Sequence, residues 1–148
     1  MQKNTLAILL GGVVPAILFG ISGVLQKTSN RAGIATGPYL IIVGVAVLLT
    51  GIAFAAVQQD LTLNRASLAQ SCLLGGLWAL GTAAIACALG RYGGQISQLV
   101  PLYNMNTLVA VVAGLVILSE WRTVHLPRLL MATVLTIAGG VLAATSSK

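Results

Sequence analysis

Residues 32–59 read AGIATGPYLIIVGVAVLLTGIAFAAVQQ and contain no charged side chain. A helix that rises about 1.5 Å per residue needs roughly 20 apolar residues to cross a hydrocarbon core about 30 Å thick. This stretch is therefore long enough to cross a bilayer once and too short to cross it comfortably twice. A run of this length without a charge is typical of a membrane-spanning helix and not of a soluble domain, so these residues decide the fold class.

The rest of the chain repeats this pattern. The 148 residues are 57% hydrophobic and 7% charged, where a soluble domain carries roughly a quarter charged residues. The charges separate five windows, residues 4–26, 32–59, 66–90, 92–119 and 129–147. No window shows the ten-residue alternation of a membrane barrel. We expect an all-α, multi-pass membrane protein of one domain, residues 1–148, with helices at about 5–26, 37–58, 69–90, 96–119 and 128–146.

The net charge of +6 comes from basic residues scattered singly at the window edges. A nucleic-acid site needs a basic run or stripe, so we interpret these residues as membrane anchors and expect no nucleic-acid partner. Two interpretations of the topology remain open, because the basic residues favour neither orientation: the first loops dominate, or copies insert both ways and pair antiparallel. One side receives Lys3, Arg65, Arg122 and Arg128, and the other receives Lys27, Arg31, Arg91 and Lys148.

The first predicted helix carries a proline on the same face as polar side chains. At 100° per residue this face contains Gly11, Pro15, Phe19, Ser22 and Gln26. Pro15 has no N–H to donate to the Gly11 carbonyl, so a polar acceptor is left inside the membrane. We expect Pro15 to bend the helix and Ser22 and Gln26 to line a cavity.

The fourth predicted helix repeats this arrangement. Pro101 disturbs the carbonyl of Ser97, and Asn104 and Thr107 lie broadly on the same side. Asn104 and Asn106 point about 160° apart at helical spacing, so only one of them faces a common cavity. We expect that residue to be Asn104, with Pro101 bending the helix.

The third predicted helix has two faces. One contains Ser71, Gly75, Trp78 and Thr82, and the other, made of small residues suited to close packing, contains Cys72, Gly76, Ala79, Ala83 and Cys87. The indole N–H of Trp78 lies near mid-span and needs a polar partner inside the bundle, either a carbonyl or a solute. The same two interpretations apply to Tyr103. The two cysteines are too far apart along one helix for a disulfide and are interpreted as small apolar residues.

The last predicted helix has a stripe of small residues and nothing to hold a solute. Such a stripe lets two helix backbones approach closely. Packing within the chain and packing against a second copy both remain open. The stripe consists of Ala132, Thr136, Gly139, Gly140 and Ala143.

Residues that could carry chemistry are scarce. The one histidine, His125, lies in the predicted loop before the last helix, and neither acidic residue lies deep in a window. The sequence offers no paired carboxylates, no nucleophile with a base and no metal-ligand cluster. We therefore expect that the protein is not an enzyme and that it binds neither a cofactor nor a metal ion. A buried carboxylate is also the usual partner of a proton or cation in transport, so a proton-coupled exporter of cationic drugs would lack its obvious coupling residue.

The run from Gly90 to Trp121, GRYGGQISQLVPLYNMNTLVAVVAGLVILSEW, resembles the second half of an EamA repeat of the drug/metabolite transporter superfamily. In that repeat a proline-containing helix closes with a Gly, apolar residues and a Glu, before a short loop and a Gly-containing last helix. Here these positions hold Pro101, Gly114, Glu120, Gly139 and Gly140. The resemblance implies one half of a ten-helix inverted-repeat carrier, with a cavity lined by the first four helices.

The first helix closes with Leu25, Gln26, Lys27, Thr28 and Ser29, which is similar to the small multidrug resistance branch of the same superfamily. In that branch a glutamate lies about two turns before the Lys. The matching position here is Phe19. This departure disfavours proton-coupled drug antiport, and the resemblance to EamA carriers implies neutral or zwitterionic metabolites.

The resemblance, together with the helix pattern, therefore implies a secondary carrier of small metabolites that works by alternating access in a bacterial cytoplasmic membrane, as an antiparallel homodimer or with a homologous second half. Two alternatives stay open: a non-transporting membrane subunit of a larger complex, and a proton-coupled exporter of cationic drugs that uses Asp60 or Glu120. The predicted solute-binding residues are Ser22, Gln26, Trp78, Tyr103, Asn104 and Thr107.

Overall fold

The computed structural model describes residues 2–59, 61–122 and 124–146. Every regular element in these residues is helical: α1 (Gln2–Ile8), a π-helical turn (Leu9–Val13), α2 (Val14–Arg31), α3 (Thr36–Gln58), α4 (Arg65–Arg91), α5 (Ile96–Tyr103), α6 (Asn106–Ile117), a 3₁₀ turn (Glu120–Arg122) and α7 (Leu126–Ala144). The predicted all-α class is confirmed. Asp60 and Lys148 lie outside the described residues.

Five stretches are long and apolar enough to cross a membrane, as the sequence predicted. We number them spans 1 to 5: Thr5–Arg31, Thr36–Gln58, Arg65–Arg91, Ile96–Ile117 and Leu126–Ala144. Spans 2, 4 and 5 agree with the predicted limits to within two residues at each end. These helices support a multi-pass integral membrane protein.

Spans 1 and 3 are longer than predicted. Span 1 continues through the segment assigned to a loop and ends at Arg31, because the first break is Gly33, whose φ of +89° suits a residue without a side chain. Span 3 begins at Arg65, since Asn64 and Ser67 form a capping box: the Ser67 N–H donates to Asn64 Oδ1 at 2.8 Å and the Asn64 N–H to Ser67 Oγ at 3.3 Å. Both changes add polar residues to helix ends.

Two spans contain irregular backbone next to a proline. In span 1 the π-helical turn Leu9–Val13 precedes Pro15, and the Val14 N–H donates to the Leu9 carbonyl, one residue further back than in an α-helix. Span 4 is divided into α5 and α6 by a turn at Asn104 and Met105. The sequence predicted a single bent helix at Pro101, whereas the helix is interrupted.

The chain divides into two compact units, residues 1–93 and 94–148. In unit 1, α4 packs against both α2 and α3. The contact of α2 with α4 buries Gly23 on one helix and Ala86 and Leu89 on the other. Ala79, Ala83 and Cys87 of the predicted small-residue face are only half-buried, and Cys72 is exposed. Close packing is therefore confined to the last turns of α4.

In unit 2, α7 packs mainly against α5. The closest approach is at Gly140, where an added Cβ would lie 2.8 Å from the Pro101 carbonyl oxygen and 3.3 Å from Met105 Cγ. Thr133, two turns before Gly140 on the same helix, is 5% exposed, and its hydroxyl donates to the Leu129 carbonyl. Gly140 thus packs within the chain.

The other residues of that predicted stripe have different surroundings, and Ala143 among them is half-buried. Ala132, Thr136 and Gly139 are exposed in the described structure, and an added Cβ on Gly139 would meet nothing within 4 Å. The stripe therefore separates into two faces, because neighbouring positions on a helix point about 100° apart. Gly140 serves the internal contact, and the three exposed residues form a second face that we call the outer α7 face.

Candidate functional site

Gln26 lies in the packed contact of unit 1. Its side chain is 9% exposed, and Nε2 donates to the Thr82 carbonyl of α4 at 3.4 Å. Asn30, one turn later, is 8% exposed and its Nδ2 donates to the Gln26 carbonyl at 2.8 Å. Carboxamides from two turns of one helix thus face α4. A bond between helices in lipid contributes about 0.6 kcal/mol on average, so this pair fastens the two helices modestly.

Ser22 and Trp78, also in unit 1, are exposed. The Ser22 hydroxyl donates to the Phe19 carbonyl of its own helix at 2.9 Å. Trp78 is 52% exposed near the middle of α4, and its indole N–H has no partner among the described residues. The predicted hydrogen bond inside the bundle is therefore missing from the described part of the chain. A solute or a second protein molecule can still supply that acceptor.

The interruption of span 4 is the main irregular feature of unit 2. The Asn104 N–H donates to the Val100 carbonyl at 3.0 Å, as in an α-helix, but the next N–H, of Met105, donates to Leu102 at 3.1 Å. The Thr107 and Leu108 N–H groups likewise bond three residues back, to Asn104 and Met105. Two tight turns thus join α5 to α6 near mid-span.

Pro101 lies in the turn of α5 just before these bonds. Its ring fixes its own φ and removes a donor from α5. Because Met105 donates to Leu102, the Pro101 carbonyl is relieved of its usual α-helical donor and lies against Gly140 of α7 instead. Glycine allows that approach, since any side chain there would overlap the oxygen. The interruption and the glycine therefore belong to one packed contact.

Polar side chains surround the interruption. Asn104 and Asn106 are exposed, Thr107 is exposed with its hydroxyl donating to the Asn104 carbonyl at 2.8 Å, and Tyr103 is half-buried. The Thr107 hydroxyl thus lies against the backbone of Asn104, and Tyr103 precedes Asn104 in the chain. The predicted separation of 160° between the Asn104 and Asn106 side chains holds only in an unbroken helix. Because a tight turn lies between these two residues, that prediction does not apply here. Both carboxamides are available at the break.

Glu120 lies against the end of span 4. Its Oε2 would be 2.8 Å from a Cβ placed on Gly114, so the side chain folds back over the helix that precedes it. Ser119 permits this reversal by adopting a left-handed backbone with φ of +57°. The spacing from Gly114 to Glu120 therefore has a geometric basis. Beside it, the Arg122 guanidinium lies 5.1 Å from the centre of the Trp121 ring.

Three residues in these contacts were not among the predicted solute-binding residues. Asn30 was assigned to a loop, although its spacing of four residues from Gln26 and seven from Gly23 is the signal of one helical face. Gly140 was recognised as small, but only the structure distinguishes it from Gly139. Glu120 was placed at the helix end without a contact.

Groups that could hold a metal are not found: among the described residues, no three His, Cys, Asp or Glu side chains cluster. His125 is exposed at the start of α7, and both cysteines are free. In the α2–α4 contact and at the break in span 4, the polar side chains are carboxamides and hydroxyls, which form hydrogen bonds.

Comparison of the chain with protein-family models, with curated proteins and with solved structures gave no match.

Proposed function

We propose that this protein is a secondary carrier of small neutral or zwitterionic solutes, with part of its solute site at the interruption of span 4. The observation that carries the proposal is a helix broken near mid-span, with Asn104 and Asn106 exposed at the break. Carriers commonly build their sites from discontinuous membrane helices, because the break presents polar groups at the depth where the solute is held.

The cost of polar groups in lipid supports this proposal. A carboxamide that faces hydrocarbon loses its hydrogen bonds to water, so polar side chains at this depth normally face a cavity or another protein. Irregular backbone in the membrane is tolerated under the same condition. The exposed side chains at the break are best explained by a water-filled route or by a second protein surface that completes one.

The solute class follows from the lack of acidic residues in the five spans. The five membrane-length helices contain no acidic residue, and of the two acids in the sequence Glu120 lies beyond span 4 and Asp60 between spans 2 and 3. A cationic solute or a coupling proton would lack its usual carboxylate partner. Amide and hydroxyl groups suit neutral and zwitterionic solutes, which they recognise by paired donors and acceptors.

A second copy, or a homologous half, is part of the proposal. Among the described residues, Ala86 and Leu89 are the only buried apolar side chains, so one chain offers little enclosed interior. The outer α7 face, made of Ala132, Thr136 and Gly139, is suited to close helix contact. The balanced basic residues allow two copies to insert in opposite orientations and form inverted halves. We place this pair in a bacterial cytoplasmic membrane.

The test is solute uptake into proteoliposomes, screened over neutral and zwitterionic metabolites. Asn104→Leu should lower uptake of the identified solute at least tenfold, because a buried polar solute that loses a hydrogen-bond partner keeps its desolvation cost. Asn106→Leu should lower it less, since Asn104 directly follows Tyr103 and its carbonyl accepts the Thr107 hydroxyl. Thr50→Val is a control, because Thr50 is exposed on span 2 and its hydroxyl bonds only to the Ala46 carbonyl.

Full uptake by Asn104→Leu, with helical content unchanged, would contradict the assignment of the site. Uptake driven by a pH gradient and abolished by Glu120→Gln would instead support the cation exporter. No uptake of any solute, together with purification in complex with an unrelated protein, would support the membrane subunit.

A further inference from the structure

Helices α2 and α4 are packed together at one end. Asn30 lies beside Gly90, since a Cβ placed on Gly90 would be 3.3 Å from Asn30 Oδ1, and Gln26 bonds to the Thr82 carbonyl. Gly23 is the first buried residue of α2. The two helices run in the same direction across the membrane, because α3 returns the chain between them. Their packed contact therefore lies towards their C-terminal ends, at one membrane side.

The faces that meet in this contact continue towards the opposite membrane side, where they are uncovered. Gly12 and Cys72 precede Asn30 and Gly90 by the same number of residues, about five helical turns, so they lie on the faces that Asn30 and Gly90 present to each other. Both Gly12 and Cys72 are exposed, and a Cβ placed on Gly12 would meet nothing within 4 Å. Span 1 and α4 are therefore separated at this end.

The separated faces are made of small residues. Ala16 and Gly76 lie one turn after Gly12 and Cys72, at matching positions of the two helices. Both are exposed, and a Cβ placed on Gly76 would meet nothing within 4 Å. Small residues on two facing helices let their backbones approach closely. The open ends of the two helices thus have surfaces that suit close packing on each other.

Span 1 is irregular at the same place. The π-helical turn Leu9–Val13 contains Gly12, and Pro15 follows it without an N–H for the Gly11 carbonyl. Membrane helices bend at π-helical turns and at prolines, because the regular ladder of hydrogen bonds is interrupted there. Helix α4, in contrast, runs from Arg65 to Arg91 as a continuous α-helix. Span 1 is therefore the element that can bend towards α4.

We propose that span 1 bends at this turn and closes onto α4, bringing Gly12 and Ala16 against Cys72 and Gly76, as a gate at one membrane side. The structure shows this gate open. The bonded end of the pair, at Gln26 and Thr82, stays packed while the other end moves. The gate rests on the proposed carrier function, in which the solute route opens to one side of the membrane at a time.

Disulfide formation measures the closure directly. Gly12→Cys supplies a thiol opposite the native Cys72, and Cys87→Ala removes the other thiol. A disulfide places two Cβ atoms about 3.8 Å apart, which is closer than any atom lies to the Cβ placed on Gly12 in the open gate. Protein in vesicles treated with copper phenanthroline should form a disulfide between positions 12 and 72 of one chain, identified by peptide mass spectrometry. The bond should block solute uptake until dithiothreitol reduces it.

Gly11→Cys in the same background is the matched control, because neighbouring positions on a helix point about 100° apart. It has open space around its Cβ as well, and should form little disulfide with Cys72. Equal disulfide formation in the two variants would overturn the proposal, as would its absence from Gly12→Cys. Circular dichroism confirms that both variants keep their helices.

A bulky side chain in the gate gives a second test. Gly76→Leu fits the open gate but obstructs closure, so it should lower uptake roughly tenfold by blocking a conformational step of the transport cycle. Gly81→Leu is its control, because Gly81 is exposed with the same open space and lies about 140° away around α4. It should leave uptake unchanged. Equal uptake by the two variants would overturn the gate.

The two tests separate the gate from the carrier function. A disulfide specific to Gly12→Cys, in a protein that takes up no solute from the screen, would support the closure and contradict the carrier function. Solute uptake that continues at the full rate in disulfide-bonded Gly12→Cys would overturn the gate and leave the carrier function standing.

Discussion

At the scale of single residues, neighbouring glycines in α7 have different surroundings. A Cβ on Gly140 would lie 2.8 Å from the Pro101 carbonyl oxygen, whereas a Cβ on Gly139 would meet nothing within 4 Å. Gly140→Ala should therefore destabilise the protein by about 1–3 kcal/mol, as overpacking against backbone does. Gly139→Ala should be neutral or stabilising by up to about 1 kcal/mol, because alanine favours a helix. Thermal unfolding in detergent, followed by circular dichroism, measures both. Equal effects would show that α7 does not pack on α5 through Gly140.

Gly114 shows that the same distance can have a different consequence. Its Cβ would also lie 2.8 Å from an oxygen, but that oxygen is the end of the flexible Glu120 side chain. We expect Gly114→Ala to change stability by less than about 0.5 kcal/mol, in the range of ordinary surface substitutions, because the carboxylate can swing aside. The fluorescence of Trp121, measured with Trp78→Phe as background, should shift as Glu120 moves. A loss of stability as large as that of Gly140→Ala would mean that Glu120 is held in place.

At the scale of helices, Gln26 connects α2 to α4. Its bond to the Thr82 carbonyl crosses between helices, whereas the Ser22 hydroxyl bonds within its own helix. Gln26→Leu should cost about 0.6 kcal/mol, the average for such bonds in a membrane. Ser22→Ala should change stability little. If Gln26→Leu abolishes uptake without altering the unfolding temperature, Gln26 contacts the solute instead of fastening the helices.

The sequence predicted the number and type of these helices because hydrocarbon thickness and charge placement depend only on local composition. It failed at the ends of spans 1 and 3, where Asn30 and Ser67 are polar yet helical, since packing and capping override polarity. It also missed the interruption after Pro101. A proline predicts a disturbed carbonyl in the preceding turn. The hydrogen bonds at Met105, however, lie where α7 packs against α5, and local residue spacing does not predict a contact between distant segments.

At the scale of the whole molecule, the distribution of basic residues controls the orientation of the protein in the membrane. If the basic residues are balanced, tags on the N-terminus and the C-terminus should each be found on both sides of the membrane in similar amounts. Ala32→Lys and Gln59→Lys add one positive charge at opposite ends of span 2, and should bias the orientation in opposite directions. One orientation, unmoved by either substitution, would exclude an antiparallel homodimer.

The central claim is that two halves are needed to form one solute route. Reconstitution of the protein into vesicles over a range of protein-to-lipid ratios tests it most directly, with uptake expressed per molecule of protein. Uptake per molecule should fall towards zero as the average vesicle comes to hold a single copy, and a tandem fusion of two oppositely inserted copies should restore it. Full uptake by isolated single copies would contradict the claim.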